Sequence, residues 1–181
     1  NSTHPFSVEK NWTSWGTGAY DANSGDTIRF AGSGTQTLDV GTGINFKYVA
    51  KTGSGTVSQT CNISFVNNSY LGIQSGTWNA GANTLSSVYV ASILTQNINT
   101  SLILGKTGVP LPEFAGTMTF GTGSTLTLNG AGAQQLKGGL DYKNITFTNS
   151  TTTTLVSNPS SIVGTVTISG TAILDIGNSN G

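Results

Sequence analysis

Gly25-Asp-Thr-Ile-Arg-Phe-Ala-Gly32-Ser-Gly34-Thr-Gln36-Thr-Leu38 and Gly123-Ser-Thr-Leu-Thr-Leu-Asn-Gly130-Ala-Gly132-Ala-Gln134-Gln-Leu136 align without a gap at a constant offset of 98 (123 minus 25), with six of the fourteen positions identical. After a two-residue slip, Ile44-Asn-Phe-Lys47 meets Leu140-Asp-Tyr-Lys143, and further on Ser75-Gly-Thr77 meets Ser169-Gly-Thr171. Low complexity inflates matches on Gly and Thr. It does not readily place Gly-x-Gly-x-Gln-x-Leu twice in register ahead of the same aromatic-Lys pair. The unit reads physically as a corner. Two glycines around a small residue permit a sharp turn with positive φ, the glutamine satisfies backbone groups inside it, and the leucine re-enters a core. The corner residues are therefore Gly32, Gly34 and Gln36 in one copy and Gly130, Gly132 and Gln134 in the other.

Outward from these corners the chain is a succession of short alternating runs. Thr27–Phe30, Asn62–Val66, Ser87–Val90, Thr117–Phe120, Thr125–Leu128, Asn144–Phe147 and Thr165–Ile168 each put apolar side chains on one face and mostly polar ones on the other, and Gly, Asn or Ser closes each run. No stretch keeps apolar residues at helical spacing. Repeated corners between short strands are what a β-solenoid needs, because each coil lays its strand beside that of the last. The expected fold is all-β, a parallel β-solenoid (β-helix), with a β-sandwich of jelly-roll or strand-complemented pilus-like type as the alternative. The organisation expected is an N-terminal cap or assembly segment at 1–24, a first repeat unit at 25–122 and a shorter second unit at 123–181, or one continuous domain.

The stretch Thr125-Leu-Thr-Leu-Asn-Gly-Ala-Gly-Ala-Gln-Gln-Leu-Lys-Gly-Gly-Leu-Asp-Tyr-Lys-Asn-Ile-Thr-Phe-Thr-Asn149, followed by Val163-Gly-Thr-Val-Thr-Ile-Ser-Gly-Thr171, resembles the repeats of large bacterial secreted surface proteins and adhesins with filamentous-haemagglutinin-like or autotransporter-like β-helices. The resemblance covers about 123–177, is weaker over 25–83 and is absent from 1–24 and 84–116. Its motifs are architectural and carry no active site. It implies a surface scaffold, fibre or adhesin.

Composition agrees with an exported scaffold. Only 8% of the 181 residues are charged, seven basic against seven acidic, while 25 are glycine. There is no basic footprint for nucleic acid and no polybasic patch for anionic lipid. The longest apolar run, Val88–Leu94, is far short of a membrane helix, so no membrane insertion is expected. The chain begins at Asn1 and its one methionine is Met118, which fits removal of a secretory leader. The single Cys61 permits no internal disulfide; it reads as a small buried residue, or as an intermolecular bridge. Seven sequons, at Asn1, Asn11, Asn62, Asn67, Asn99, Asn144 and Asn149, are candidate glycosylation sites.

Catalytic constellations are hard to assemble from these residues. His4 is the one histidine and sits near a terminus, and one histidine with one cysteine makes no zinc site. The seven carboxylates show no glycosidase-like spacing. Asp21, Asn23 and Asp26 form an oxygen-rich turn with a faint likeness to a calcium loop, but it lacks the terminal bidentate Glu and reads equally as an Asx-turn. Trp12, Trp15 and Tyr20 offer flat faces for a sugar, or a cap for the end of a core. The Thr-rich alternations, Thr151 to Thr154 among them, raise a flat threonine face of the kind ice-binding solenoids use, against the plainer role of threonine as a solvent-side strand residue. The expected function is thus an extracellular structural or adhesive protein of the cell surface, not an enzyme and without cofactor or metal. Its partners would be other copies of itself, the rest of a larger surface protein, or glycans. A carbohydrate-binding module or β-helix polysaccharide-active protein is the alternative. The strands at 165–168 and 172–176 are expected to leave an open edge, covered head-to-tail by residues 1–24 of a neighbour or by more of a parent chain.

Overall fold

The computed structural model describes residues 6–13, 27–41, 45–156 and 161–176. All regular elements among them are β-strands, and all strand pairs are parallel. The chain winds into a β-solenoid of about seven turns, the fold its corners and alternating runs imply. A first ladder stacks Phe6–Val8, Thr27–Phe30, Asn45–Lys51, Ile63–Ile73, Ile93–Gln96 and Thr117–Phe120. A second runs from Trp12–Thr13 through Thr35–Asp39, Thr56–Gln59, Thr77–Asn79, Ser101–Leu104, Thr125–Leu128 and Asn144–Phe147 to Val166–Ile168. A third contains Pro110–Leu111, Gln134–Lys137, Thr152–Val156 and Ile173–Asp175. Leu85–Ser87 and Glu113–Phe114 stack in turn over the first half of the long strand Ile63–Ile73.

The structural repeat is the coil. Register places Leu126 directly beside Ile145 and Trp12 directly beside Leu38, so one coil separates positions far closer in sequence than the two corner motifs are. The offset of the doubled motif therefore relates corners rather than domains. Gly32–Gln36 leads from the first ladder to the second, whereas Gly130–Gln134 leads from the second to the third. Ladder pairing passes from Ile93–Gln96 to Thr117–Phe120 and from Ser101–Leu104 to Thr125–Leu128, so pairing continues unbroken across 122 and 123.

Period-two alternation turns into columns of like side chains inside the coil. Val57, Trp78, Leu102, Leu126 and Ile145 lie one above the other and are at most 1% exposed. Each such residue contributes about 1.5–3 kcal/mol by leaving water. Val166 continues the column, yet it is 41% exposed, because no described strand stacks on it. Aromatic rings fill the wide part of the core: Phe46 meets Phe65 at 6.1 Å, Phe65 meets Phe114 at 5.6 Å, and Phe120 meets Tyr142 at 5.0 Å between centroids.

One expectation needs correction. The run Ser87–Val90 is not a strand with buried valines: the strand is Leu85–Ser87, and Val88 and Val90 are 80% and 82% exposed. The cause is a buried serine cluster. Ser87 Oγ lies 2.5 Å from Ser92 Oγ and also accepts the Tyr89 amide, which pins the chain in a turn just where the alternation would continue. The described part of the N-terminal segment forms the first coil, in which Phe6–Val8 and Trp12–Thr13 pair with Thr27–Phe30 and Thr35–Asp39 of their own chain.

One inward column carries a cation. Phe30, Lys51, Ile73, Gln96 and Phe120 are register neighbours, and Lys51 is fully buried, its Nζ donating to the Gly53 carbonyl. Burial lowers the Lys51 pKa, and that of Lys137, below the ordinary 10.5. Between those lowered values and 10.5 the unfolded chain binds more protons than the folded one, so stability rises with pH across that window. Tyr142 acts the opposite way, since burial raises its pKa, and stability falls above about pH 10 where an unfolded tyrosine ionises. Urea midpoints measured from neutral pH to about pH 10 should rise, and Lys51→Met should flatten the slope; an unchanged slope in that variant would show that Lys51 does not titrate with folding.

Candidate functional site

The corners come first because they set every surface around them. Gln36 Oε1 accepts the Gly32 amide at 3.0 Å, and Gln36 Nε2 donates to the carbonyls of Val8 at 2.7 Å and Lys10 at 3.0 Å in the preceding coil. Gln134 repeats the arrangement, accepting from Gly130 at 2.8 Å and donating to Leu104 and Lys106 at 3.0 Å each. The four glycines do not serve the purpose expected of them. Among the described glycines positive φ occurs at Gly41, Gly76, Gly81, Gly108, Gly123, Gly139 and Gly170, and at none of the corner positions. Gly32 and Gly130 are needed for closeness instead. A Cβ there would sit 2.7 Å from the Glu9 carbonyl oxygen and 2.6 Å from that of Gly105. Around Gly34 there is open space, and Gly132 would meet only the Thr107 side chain, its methyl at 3.4 Å.

A cleft of about 470 Å³ opens beside the turn from the first ladder to the second, midway along the solenoid. Gln74, Thr95, Gln96, Asn97, Ile98, Thr119, Phe120 and Gly121 line it, and none of them is charged. The backbone stacks three coils here, with Asn97 N donating to Ile73 O at 2.8 Å and Gly121 N to Gln96 O at 2.7 Å. Thr95 and Thr119 are register neighbours on the outer face, while Ile98 is 66% exposed on the turn. A smaller cleft of about 180 Å³ is lined by residues that include Asn45, Ser64, Ser86, Val88 and Tyr89.

No family model, curated protein or solved structure matches this chain. The site has to be read from its own chemistry.

Of the residues singled out by sequence, Trp15, Tyr20, Asp21, Asn23, Asp26, Asn1 and His4 lie outside the described residues. Trp12 is half-buried, 6.2 Å from Phe30 and 5.9 Å from Phe46, which places it at the end of the core rather than on an open face. Asn11, Asn62 and Asn144 bracket coils, their Oδ1 atoms accepting the amides of Thr37, Thr84 and Thr165 at 2.8–2.9 Å. Asn67 and Asn99 are exposed. Asn149 is buried, with Nδ2 donating to Thr153 Oγ1 at 2.9 Å, so its side chain is inaccessible to a glycosyl donor in the folded chain. Cys61 is half-buried beside the Val40 amide, and burial raises its thiol pKa. Among the described residues no group of three His, Cys, Asp or Glu side chains is placed to hold a metal.

The outer face of the second ladder carries Thr35, Thr56, Thr77, Ser101, Thr125 and Asn144 in one column and Thr37, Ser58, Asn79, Ile103, Thr127, Thr146 and Thr167 in the next. Two serines, two asparagines and an isoleucine interrupt the threonines. The clefts escaped sequence reasoning because their walls come from three coils.

If closeness rather than conformation requires the corner glycines, Gly32→Ala and Gly130→Ala should each cost about 1–3 kcal/mol through overpacking. Gly34→Ala and Gly132→Ala should be neutral or stabilising by up to about 1 kcal/mol. Urea denaturation of the four variants separates the two cases, since equal losses at all four positions would restore the conformational explanation.

Proposed function

We propose that this chain is an extracellular structural or adhesive segment, a piece of fibre or stalk of the kind its resemblance to adhesin repeats implies. It works by shape and by strand-edge pairing. The observation that carries this reading is the last coil. Val166–Ile168 pairs on one side only among the described residues, and Val166, Ile168 and, beside them in the last coil, Ile173 are 41%, 50% and 57% exposed. A weakly charged strand edge with apolar side chains beside it is a template for another strand. At the other end of the solenoid Phe6–Val8 likewise pairs on one side only among the described residues, so two copies would meet head-to-tail in a contact that propagates.

Sedimentation velocity over a concentration series, with negative-stain imaging, tests it. Growing filaments are expected, and Val166→Lys with Ile168→Lys should leave a folded monomer. A wild-type monomer at every concentration, or filaments indifferent to the two lysines, would overturn the proposal. A non-catalytic role is part of the same reading. No turnover of a polysaccharide panel is expected; cleavage abolished by Asp141→Asn or Glu113→Gln would refute that.

A further inference from the structure

Four glutamines are buried among the described residues: Gln36, Gln59, Gln96 and Gln134. Three of them have both ends of the carboxamide satisfied. Gln36 and Gln134 accept glycine amides, and Gln59 Oε1 accepts the Trp78 indole N–H at 3.2 Å while its Nε2 donates to Cys61 and Thr84 carbonyls. Gln96 differs. Its Nε2 is tied to the carbonyls of Thr100 at 3.3 Å and Thr125 at 3.2 Å, but its Oε1 is buried with no donor. This same residue is one of those that line the 470 Å³ cleft, with Oε1 itself covered, and Ser124 Oγ, Asn149 Oδ1 and Thr151 Oγ1 are the other buried polar side-chain atoms without a partner among the described residues. A buried acceptor without a donor is costly, and natural proteins leave few of them without a ligand, ion or water to answer it.

We infer that this cleft is a binding site for a neutral glycan. Its volume lies in the usual range for small-molecule sites, roughly 300–1,000 Å³. The outer wall offers Thr95 and Thr119 hydroxyls one coil apart, about 4.8 Å, and neither makes a hydrogen bond to another described residue. The Gln74 and Asn97 amides stand beside them, exposed. Ile98 adds an exposed apolar side chain on the same rim. Hydroxyls and amides beside one apolar patch match a pyranose ring, which carries hydroxyls around its edge and C–H groups on its faces. A phosphate, sulfate or uronate would find no cation among the lining residues to offset its desolvation. The repetition of polar groups on successive coils suits a ligand that itself repeats.

The cleft lies in the middle coils, so this inference does not depend on end-to-end assembly. Isothermal titration of the whole chain with cellohexaose, maltohexaose and chitohexaose, and with tetragalacturonate as an anionic control, tests it. At least one neutral oligosaccharide should bind. The surface variants Thr95→Val/Thr119→Val and Ile98→Asp, checked for an unchanged melting temperature, should each weaken it about tenfold or more, a change of about 1.4 kcal/mol. No heat of binding with any neutral probe at millimolar concentration overturns the inference, as does binding that survives both variants or that is matched by tetragalacturonate. The outcomes are separable from those of the assembly proposal: filaments that bind no glycan refute this inference alone, and a glycan-binding monomer refutes assembly alone.

Discussion

The parallel stacking of coils makes the residue one turn away a closer neighbour than most residues nearby in sequence. At a spacing of about 4.8 Å, every inward side chain rests on its register partner, and every corner carbonyl has to be satisfied by its own turn or an adjacent one. The glutamine brackets answer that demand directly. Gln36 and Gln134 each tie an amide of their own coil to two carbonyls of the coil before. The bare glycines at 32 and 130 are what let the carboxamide and the neighbouring carbonyl approach.

The same spacing accounts for the scarcity of charge. Like charges stacked at coil distance repel by about 1 kcal/mol per pair even in water, and a column would repeat that cost at each turn. Threonine, serine and asparagine carry no such penalty. Asparagines go further and act as brackets, as Asn11, Asn62 and Asn144 do for the next coil. The one ion pair formed among the described residues, Lys106 with Glu113 at 2.9 Å, lies off the main faces where the chain leaves the regular coil.

Where coil length changes, surface features appear. In the middle of the chain Leu71 rests on Leu94, Leu102 on Leu126 and Leu111 on Leu136, each a longer circuit than the one that carries Leu126 to Ile145. The extra residues go into turns, which lift Val88, Val90 and Ile98 into solvent and help shape both clefts. A regular solenoid would present flat ladders on every side, so the irregular coils give this scaffold its distinctive concavities.

Alternation was enough to settle the all-β class and the doubled corner favoured a solenoid over the alternative sandwich, because period two and a recurrent turn are local properties of the chain. Thr27–Phe30, Thr117–Phe120, Thr125–Leu128 and Asn144–Phe147 are strands with the bounds their alternation marks, and Leu38 and Leu136 return to the core after the corners. The corner glutamines were likewise legible as backbone partners. The length of the repeat was not, since a coil is defined by which residues come to lie above one another. Circuits as unequal as Trp12 to Leu38 and Leu126 to Ile145 blur any fixed period. Nor does sequence separate Ser87 facing inward from Val88 facing water. Tertiary structure decided that through the hydroxyl cluster of Ser69, Ser87 and Ser92, drawn from two coils. It also decided that Gln96, alone of four buried glutamines, keeps an open acceptor, because whether a carboxamide finds a donor depends on the coil above and below, which no local pattern encodes.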